Sequence, residues 1–225
     1  MNITEFSRFA IIQTAFIGDV VLTLSVADAI KSIHPSAEIH FITTPVAASL
    51  AESTDSIDYV HVFDKRGKHK SLLGILSFAE SLSSKSIECV LSPHRSLRTT
   101  LISKLIKPKY SVGFTVNALS WLYSKRVEYP IHIHEVERNL RLLSVFDETN
   151  KLWLQKAPRP QVTISHVDTQ EVLKLLDREF SHKPSSIIAL APGSVWNTKR
   201  WIEDNFIKTA IELQKKDIHV YLSVE

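Results

Sequence analysis

Phe9-Ala10-Ile11-Ile12, then Gln13-Thr14-Ala15-Phe16-Ile17-Gly18, then Asp19-Val20-Val21-Leu22-Thr23-Leu24 is the stretch that decides the fold. Its first four residues are apolar, and most are aromatic or β-branched, which reads as a short buried strand. After the turn at Ile17-Gly18, Val20, Leu24, Ala27 and Ile30 recur at helical spacing, and Pro35 closes the run. A buried strand that feeds straight into a helix opens a βαβ unit.

The alternation continues outward from that stretch. Strands are expected over 39–42, 59–63, 88–91 and 110–114, and helices after Pro45 and over 72–82, 97–106 and 134–146. Such a pattern predicts an α/β fold, a parallel sheet covered by helices on both faces. Near Asp147 it gives way to a polar stretch containing Pro158 and Pro160. The expected organisation is a first domain over 1–147, a linker over 148–161 and a second α/β unit over 162–225. In that second unit helices over 169–180 and 201–215 alternate with strands over 187–190 and 218–222. Two strands fall short of an independently stable parallel-sheet domain and should leave an unpaired edge and apolar surface.

Composition narrows the class. With 225 residues, 44% hydrophobic and 23% charged, the chain has the make-up of a globular protein with a core. The single cysteine, Cys89, excludes an internal disulfide and fits a reducing compartment. No run approaches the roughly 18 apolar residues of a membrane span. Gln13 and Asp19 interrupt the first apolar stretch, so no signal peptide is expected and the location reads as cytoplasmic. Five glycines are too few for a Gly-rich nucleotide loop, so any nucleotide site must be built differently.

Three segments carry candidate chemistry. At the first strand-to-helix turn, Asp19 either caps the helix or acts as a general base at the carboxyl end of the strand. Gly18 beside it either makes a tight turn or lets a ligand approach closely. The second candidate is a pair of basic stretches. Asp64-Lys65-Arg66-Gly67-Lys68-His69-Lys70 has four cations to one acid, and 94–110 has Arg95, Arg98, Lys104, Lys107 and Lys109 with no acid. Both follow expected strands, so both fall on one rim of the sheet, where they read as solvated surface or as a face for an anionic partner. Nucleic acid is disfavoured, because no recognised module or aromatic interleaving accompanies the charge.

The third candidate is Ala191-Pro192-Gly193-Ser194-Val195-Trp196-Asn197-Thr198-Lys199-Arg200-Trp201. Its hydroxyls, loop N–H groups and the Lys199 ammonium suit a diphosphate. The alternative is a helix cap by Ser or Asn with packed tryptophans. His132 and His134 lack a third ligand for a metal, and Cys89 in an expected strand reads as core.

Taken together, these segments resemble glycosyltransferase family 9, the ADP-heptose:lipopolysaccharide heptosyltransferases. The matching stretches are Ile17-Gly18-Asp19-Val20-Val21-Leu22-Thr23, His94-Arg95-Ser96-Leu97-Arg98-Thr99, His134-Glu135-Val136-Glu137-Arg138-Asn139-Leu140, and Ala191-Pro192-Gly193-Ser194 with Thr198-Lys199-Arg200-Trp201. The resemblance implies a GT-B architecture, with a Rossmann-like acceptor domain followed by a nucleotide-sugar domain. It also implies inverting, metal-independent transfer without a cofactor, the donor ADP-heptose being a substrate. It assigns Asp19 as the base and Ser194, Thr198, Lys199 and, at the chain's end, Glu225 to the donor. The acceptor implied is the anionic, Kdo-containing inner core of lipopolysaccharide. Gly18, Lys65, Arg66, Arg95 and Arg98 are placed on that side, with peripheral contact to the inner membrane.

The family's second domain continues beyond the point where this sequence stops, through an Asn-Asp-Ser-Gly-Pro…His segment that does not occur here. The chain is therefore expected to be C-terminally truncated, with an incomplete donor domain. Two other readings stand beside the transferase: a non-catalytic lipopolysaccharide- or sugar-binding module, and a transferase of the same fold using another nucleotide sugar.

Overall fold

The computed structural model describes residues 1–146, 160–179, 186–194, 197–216 and 218–222. They form two compact units, Met1–Thr163 and Ile164–Glu225. The linker expected over 148–161 lies almost wholly outside the described residues.

The first unit is built on a six-stranded sheet of β1 (Arg8–Ile12), β2 (Glu38–Thr43), β3 (Tyr59–Val62), β4 (Cys89–Ser92), β5 (Tyr110–Phe114) and β6 (Lys125–Val127). The strands lie in the order β3-β2-β1-β4-β5-β6 and every neighbouring pair is parallel. The crossovers carry α1 (Ile17–Ile33), α2 (Ala48–Glu52), α3 (Leu72–Ser83) and α4 (Leu97–Leu105), and α5 (Glu135–Leu140) follows the last strand. Side chains alternate across the sheet. Phe9, Ile11, Phe41, Leu91 and Phe114 pack with residues of α1 and α5 in one core cluster. Ala10, Ile12, Ile42 and Val90 pack with residues of α3 and α4 in another. Coverage of both faces is why the central strands read as unbroken apolar runs.

Apart from small shifts at other element ends, three features differ from the sequence reading, each for a local reason. The first helix starts at Ile17, because Asp19 reaches back to accept the Phe16 N–H and so draws Ile17 and Gly18 into the first turn. The helix expected over 134–146 is α-helical only to Leu140 and tightens into a 3-10 turn over Arg141–Val145. Strand β6 was not foreseen: Lys-Arg-Val is polar and short, as suits a sheet edge.

In the second unit α6 (His166–Glu179) precedes a two-stranded parallel sheet of β7 (Ile187–Leu190) and β8 (His219–Leu222), and α7 (Glu203–Gln214) is the crossover between those strands. The strand at 187–190 is not buried, in line with the apolar surface expected of a unit with two strands. Its side chains alternate between exposed and half-buried. Val172, Leu173, Leu175, Ile207 and Ile211 are exposed as well.

Gly113 in β5 has no room for a side chain. A Cβ there would lie 2.3 Å from the Tyr123 ring, and that ring is fixed by hydrogen bonds of its hydroxyl with Ser92 at 2.9 Å and Thr100 at 3.0 Å. Gly113→Ala is therefore expected to lower stability by about 1–3 kcal/mol in urea denaturation. An unchanged midpoint would contradict this packing.

Candidate active site at the carboxyl end of the sheet

Strands β1 and β4 are neighbours at the point where the strand order reverses, the position at which open α/β sheets bind ligands. Their register pairs Ile11 with Leu91, so three residues further on Thr14 stands opposite His94. The Thr14 hydroxyl lies 2.9 Å from His94 Nδ1, and the Thr99 hydroxyl lies 3.1 Å from the same nitrogen. Two hydroxyls thus converge on Nδ1 and hold the ring in place, with donor and acceptor roles that follow its tautomer. Burial, with Lys65 and Arg95 nearby, pushes the His94 pKa down to about 4 against a weaker opposing pull from Asp19, so the ring is neutral near pH 7.

Lys65 reaches the same point from the loop after β3, where its Nζ donates to the Thr14 carbonyl at 2.5 Å. Its pKa is lowered, first by burial and then by the positive charges of Arg66 and Arg98. The structure thus brings Lys65, Arg66, His94, Arg95 and Arg98 together with the N-terminus of α1. Such crowding of like charge is relieved by an anion. Arg95 and Arg98 are exposed, and Arg98 occupies the first turn of α4, whose cap is Ser96 accepting the Thr99 N–H. Unpaired N–H groups at the starts of α1 and α4 add to the pull on an anion.

Asp19 is half-buried in the first turn of α1, where its carboxylate accepts the Phe16 N–H at 3.2 Å. Its backbone is held from below. The Asp19 carbonyl accepts from Thr23, whose hydroxyl in turn accepts from Gln13 at 3.0 Å and Asn139 at 3.2 Å. Gly18 is exposed, and a Cβ on it would meet nothing within 4 Å, so the chain itself does not require glycine there.

Several residues escaped the sequence reading. Thr14 and the role of His94 depend on strand order and register, which become visible only once β1 and β4 are set side by side. Tyr129, beyond the edge strand β6, has two guanidinium groups over its ring, Arg95 at 4.3 Å and Arg138 at 4.4 Å from the ring centre. Arg138 is buried and ties down its own loop, donating to the carbonyls of Pro130, Ile131 and Ile133 and pairing with Glu135. His134 caps α5 by accepting the Val136 N–H, which accounts for it without a metal. Cys89 is buried in β4, where burial raises its pKa.

In the second unit Ser194 is half-buried and its carbonyl accepts from Arg200 Nε at 2.7 Å. Thr198 and Lys199 are exposed on a 3-10 turn over Asn197–Lys199. Neither Ser194 nor Asn197 caps the following helix. Its cap position is Ile202, and Glu203 and Asp204 occupy its first turn. Those carboxylates oppose an anion at the helix end. Val195, Trp196 and Glu225 lie outside the described residues.

The model of glycosyltransferase family 9 (heptosyltransferase) matches residues 75–225. The chain belongs to this family. It is 24% identical over 215 residues to the lipopolysaccharide core heptosyltransferase OpsX of Haemophilus influenzae, covering 93% of this chain and 58% of that protein. Among solved structures it superimposes on the family 9 glycosyltransferase of Veillonella parvula with a TM-score of 0.86 at 17% identity, covering 99% of this chain and 63% of that one. The E. coli ADP-heptose lps heptosyltransferase II gives 0.75 at 16% identity, covering 96% and 63%. E. coli heptosyltransferase WaaC with ADP gives 0.69 at 16%, covering 96% and 66%. These family 9 structures place the fold in the GT-B class of α/β proteins. The chain thus spans less than two thirds of the length of its relative and of the first two of these structures.

The neutral His94 has a consequence for acid stability. A histidine whose folded pKa is depressed refuses a proton that the unfolded chain accepts, so stability is lost as pH falls from about 6.5 towards about 4. His61, also pushed down to about 4 by burial and by His40, acts in the same window. Denaturation midpoints should fall across that range, and fall less steeply in His94→Gln. An equal slope in the variant would contradict the buried, neutral ring.

Proposed function

We propose that this chain takes part in moving a heptose from ADP-heptose to the inner core of lipopolysaccharide, with inversion and without a metal. The observation that carries this reading is the convergence of one carboxylate, Asp19, with Lys65, Arg66, Arg95 and Arg98 at the carboxyl end of the sheet, in a member of a heptosyltransferase family. Its relative in H. influenzae is named a lipopolysaccharide core heptosyltransferase, which supports the same acceptor class.

In this reading the phosphorylated, Kdo-bearing acceptor lies over the basic rim, with Gly18 leaving space beside Asp19. An acceptor hydroxyl gives its proton to the Asp19 carboxylate as its oxygen attacks the anomeric carbon of the heptose. The bond from that carbon to the diphosphate breaks on the opposite side, and its electron pair leaves with ADP. Ser194, Thr198 and Lys199 bind the diphosphate, and the ammonium meets the charge that builds on the leaving group in place of a metal. His94, held at Nδ1 by two threonine hydroxyls, stays neutral beside the base. Because the acceptor is carried on lipid A, the protein works at the surface of the inner membrane.

Heptose transfer to a heptose-deficient Kdo–lipid A acceptor tests the assignment. Asp19→Asn should lower the rate by about 10²–10⁴-fold while leaving ADP affinity unchanged. Full transfer by that variant would overturn Asp19 as the base. Arg95→Ala with Arg98→Ala should raise the acceptor KM in a salt-dependent manner and leave ADP binding alone. An equal loss of ADP affinity would remove these arginines from the acceptor side. Acceptor binding with no transfer from ADP-heptose, and transfer from a different nucleotide sugar, would favour the two other readings.

A further inference from the structure

The loop between β3 and α3 is a folded knuckle. His69 is buried, stacked on Phe63 with the rings 6° from parallel and set against Phe78 at 4.9 Å. Its backbone N–H donates to the Asp64 carbonyl, and its Nδ1 accepts the Asp64 N–H. The Asp64 carboxylate accepts the N–H groups of Arg66 and Gly67. Gly74 lets the loop sit on the helix, since a Cβ there would come within 2.7 Å of the Lys68 carbonyl.

With Asp64 turned onto the loop's own backbone, the charge displayed outward is that of Arg66, Lys68 and Lys70, all exposed. Directly after them α3 presents Leu72, Leu73 and Leu76 at 62%, 77% and 41% exposure. The apolar exposure then stops: the outer positions beyond are Ser77, Glu80, Ser81 and Ser83, while Ile75, Phe78 and Leu82 face the core. The Lys65–Thr14 hydrogen bond sets this knuckle beside the β1–α1 turn, where Phe16 is 61% exposed.

We propose that this knuckle and the first turns of α3 dock the protein on an anionic lipid bilayer. Leucines confined to one end of a helix enter the boundary between headgroups and acyl chains, and the adjoining cations meet lipid phosphates. A groove-binding helix or peptide would instead need a longer apolar stripe, which α3 lacks beyond Leu76. The proposal deepens the membrane contact in the functional reading and rests on it for the reason a bilayer is approached. Of the acids near this patch, Asp64 is bound to the loop's own N–H groups, and Glu80 lies one turn beyond Leu76.

Co-sedimentation of the full chain with phosphatidylcholine vesicles, with and without phosphatidylglycerol, tests it independently of transfer. Binding is expected only with the anionic lipid and should weaken with salt. Leu72→Ser with Leu73→Ser should reduce it by about tenfold or more, and Lys68→Gln with Lys70→Gln by about tenfold, with unchanged circular dichroism. No binding, equal binding to both vesicle types, or undiminished binding by the folded leucine variant would overturn the proposal. So would binding that soluble polyglutamate abolishes while the leucine changes have no effect, since that marks an acidic protein as the partner. Failure on vesicles with intact heptose transfer would remove the docking surface alone, whereas vesicle binding without transfer would count against the transferase reading alone.

Discussion

Thr14 joins three crossings of the chain at one point. Its hydroxyl meets His94 at the end of β4, its carbonyl takes the Lys65 ammonium from beyond β3, and its own strand leads into the helix that carries Asp19. Parallel strands make this junction possible, because all their carboxyl ends emerge on one rim. Without it, the basic loop after β3 and the basic start of α4 would be separate charged surfaces. With it, cations that repel one another are held close, and the free energy of that crowding becomes a preference for an anion.

The cost of the arrangement shows in the protonation states. His94 is kept neutral and the Lys65 pKa is drawn down, both chiefly by burial. Around them the supporting contacts are polar and buried: Gln13 and Asn139 on Thr23, Thr99 on His94, Arg138 on its loop carbonyls. Such networks hold side chains in one geometry because leaving any member unpaired is expensive. Such a floor under Asp19 is what the proposed role of general base requires, because the carboxylate would have to meet one particular hydroxyl.

Much of the fold was legible in the sequence because the central strands are buried on both faces. Phe9-Ala10-Ile11-Ile12 and Ile39-His40-Phe41-Ile42 announce themselves through composition alone. Lys125-Arg126-Val127 does not, since an edge strand needs only one partner and little burial. Asp19, Lys65 and Arg95 were visible as charges after strands. Thr14 and Tyr129 were not, because an uncharged residue acquires its role only from what stands opposite it. In the second unit the count of strands was the informative signal: with two of them, the apolar side chains of 187–190 stay exposed or half-buried.

The proposed function requires an anionic acceptor to bind on the rim gathered around Thr14. Backbone amide chemical shifts of the chain, followed during titration with the phosphorylated Kdo-containing inner-core oligosaccharide, test it most directly. Perturbations should concentrate in 13–19, 65–68 and 94–98 and shrink in Thr14→Val. Shifts clustered elsewhere, or an unaltered pattern in that variant, would contradict the account.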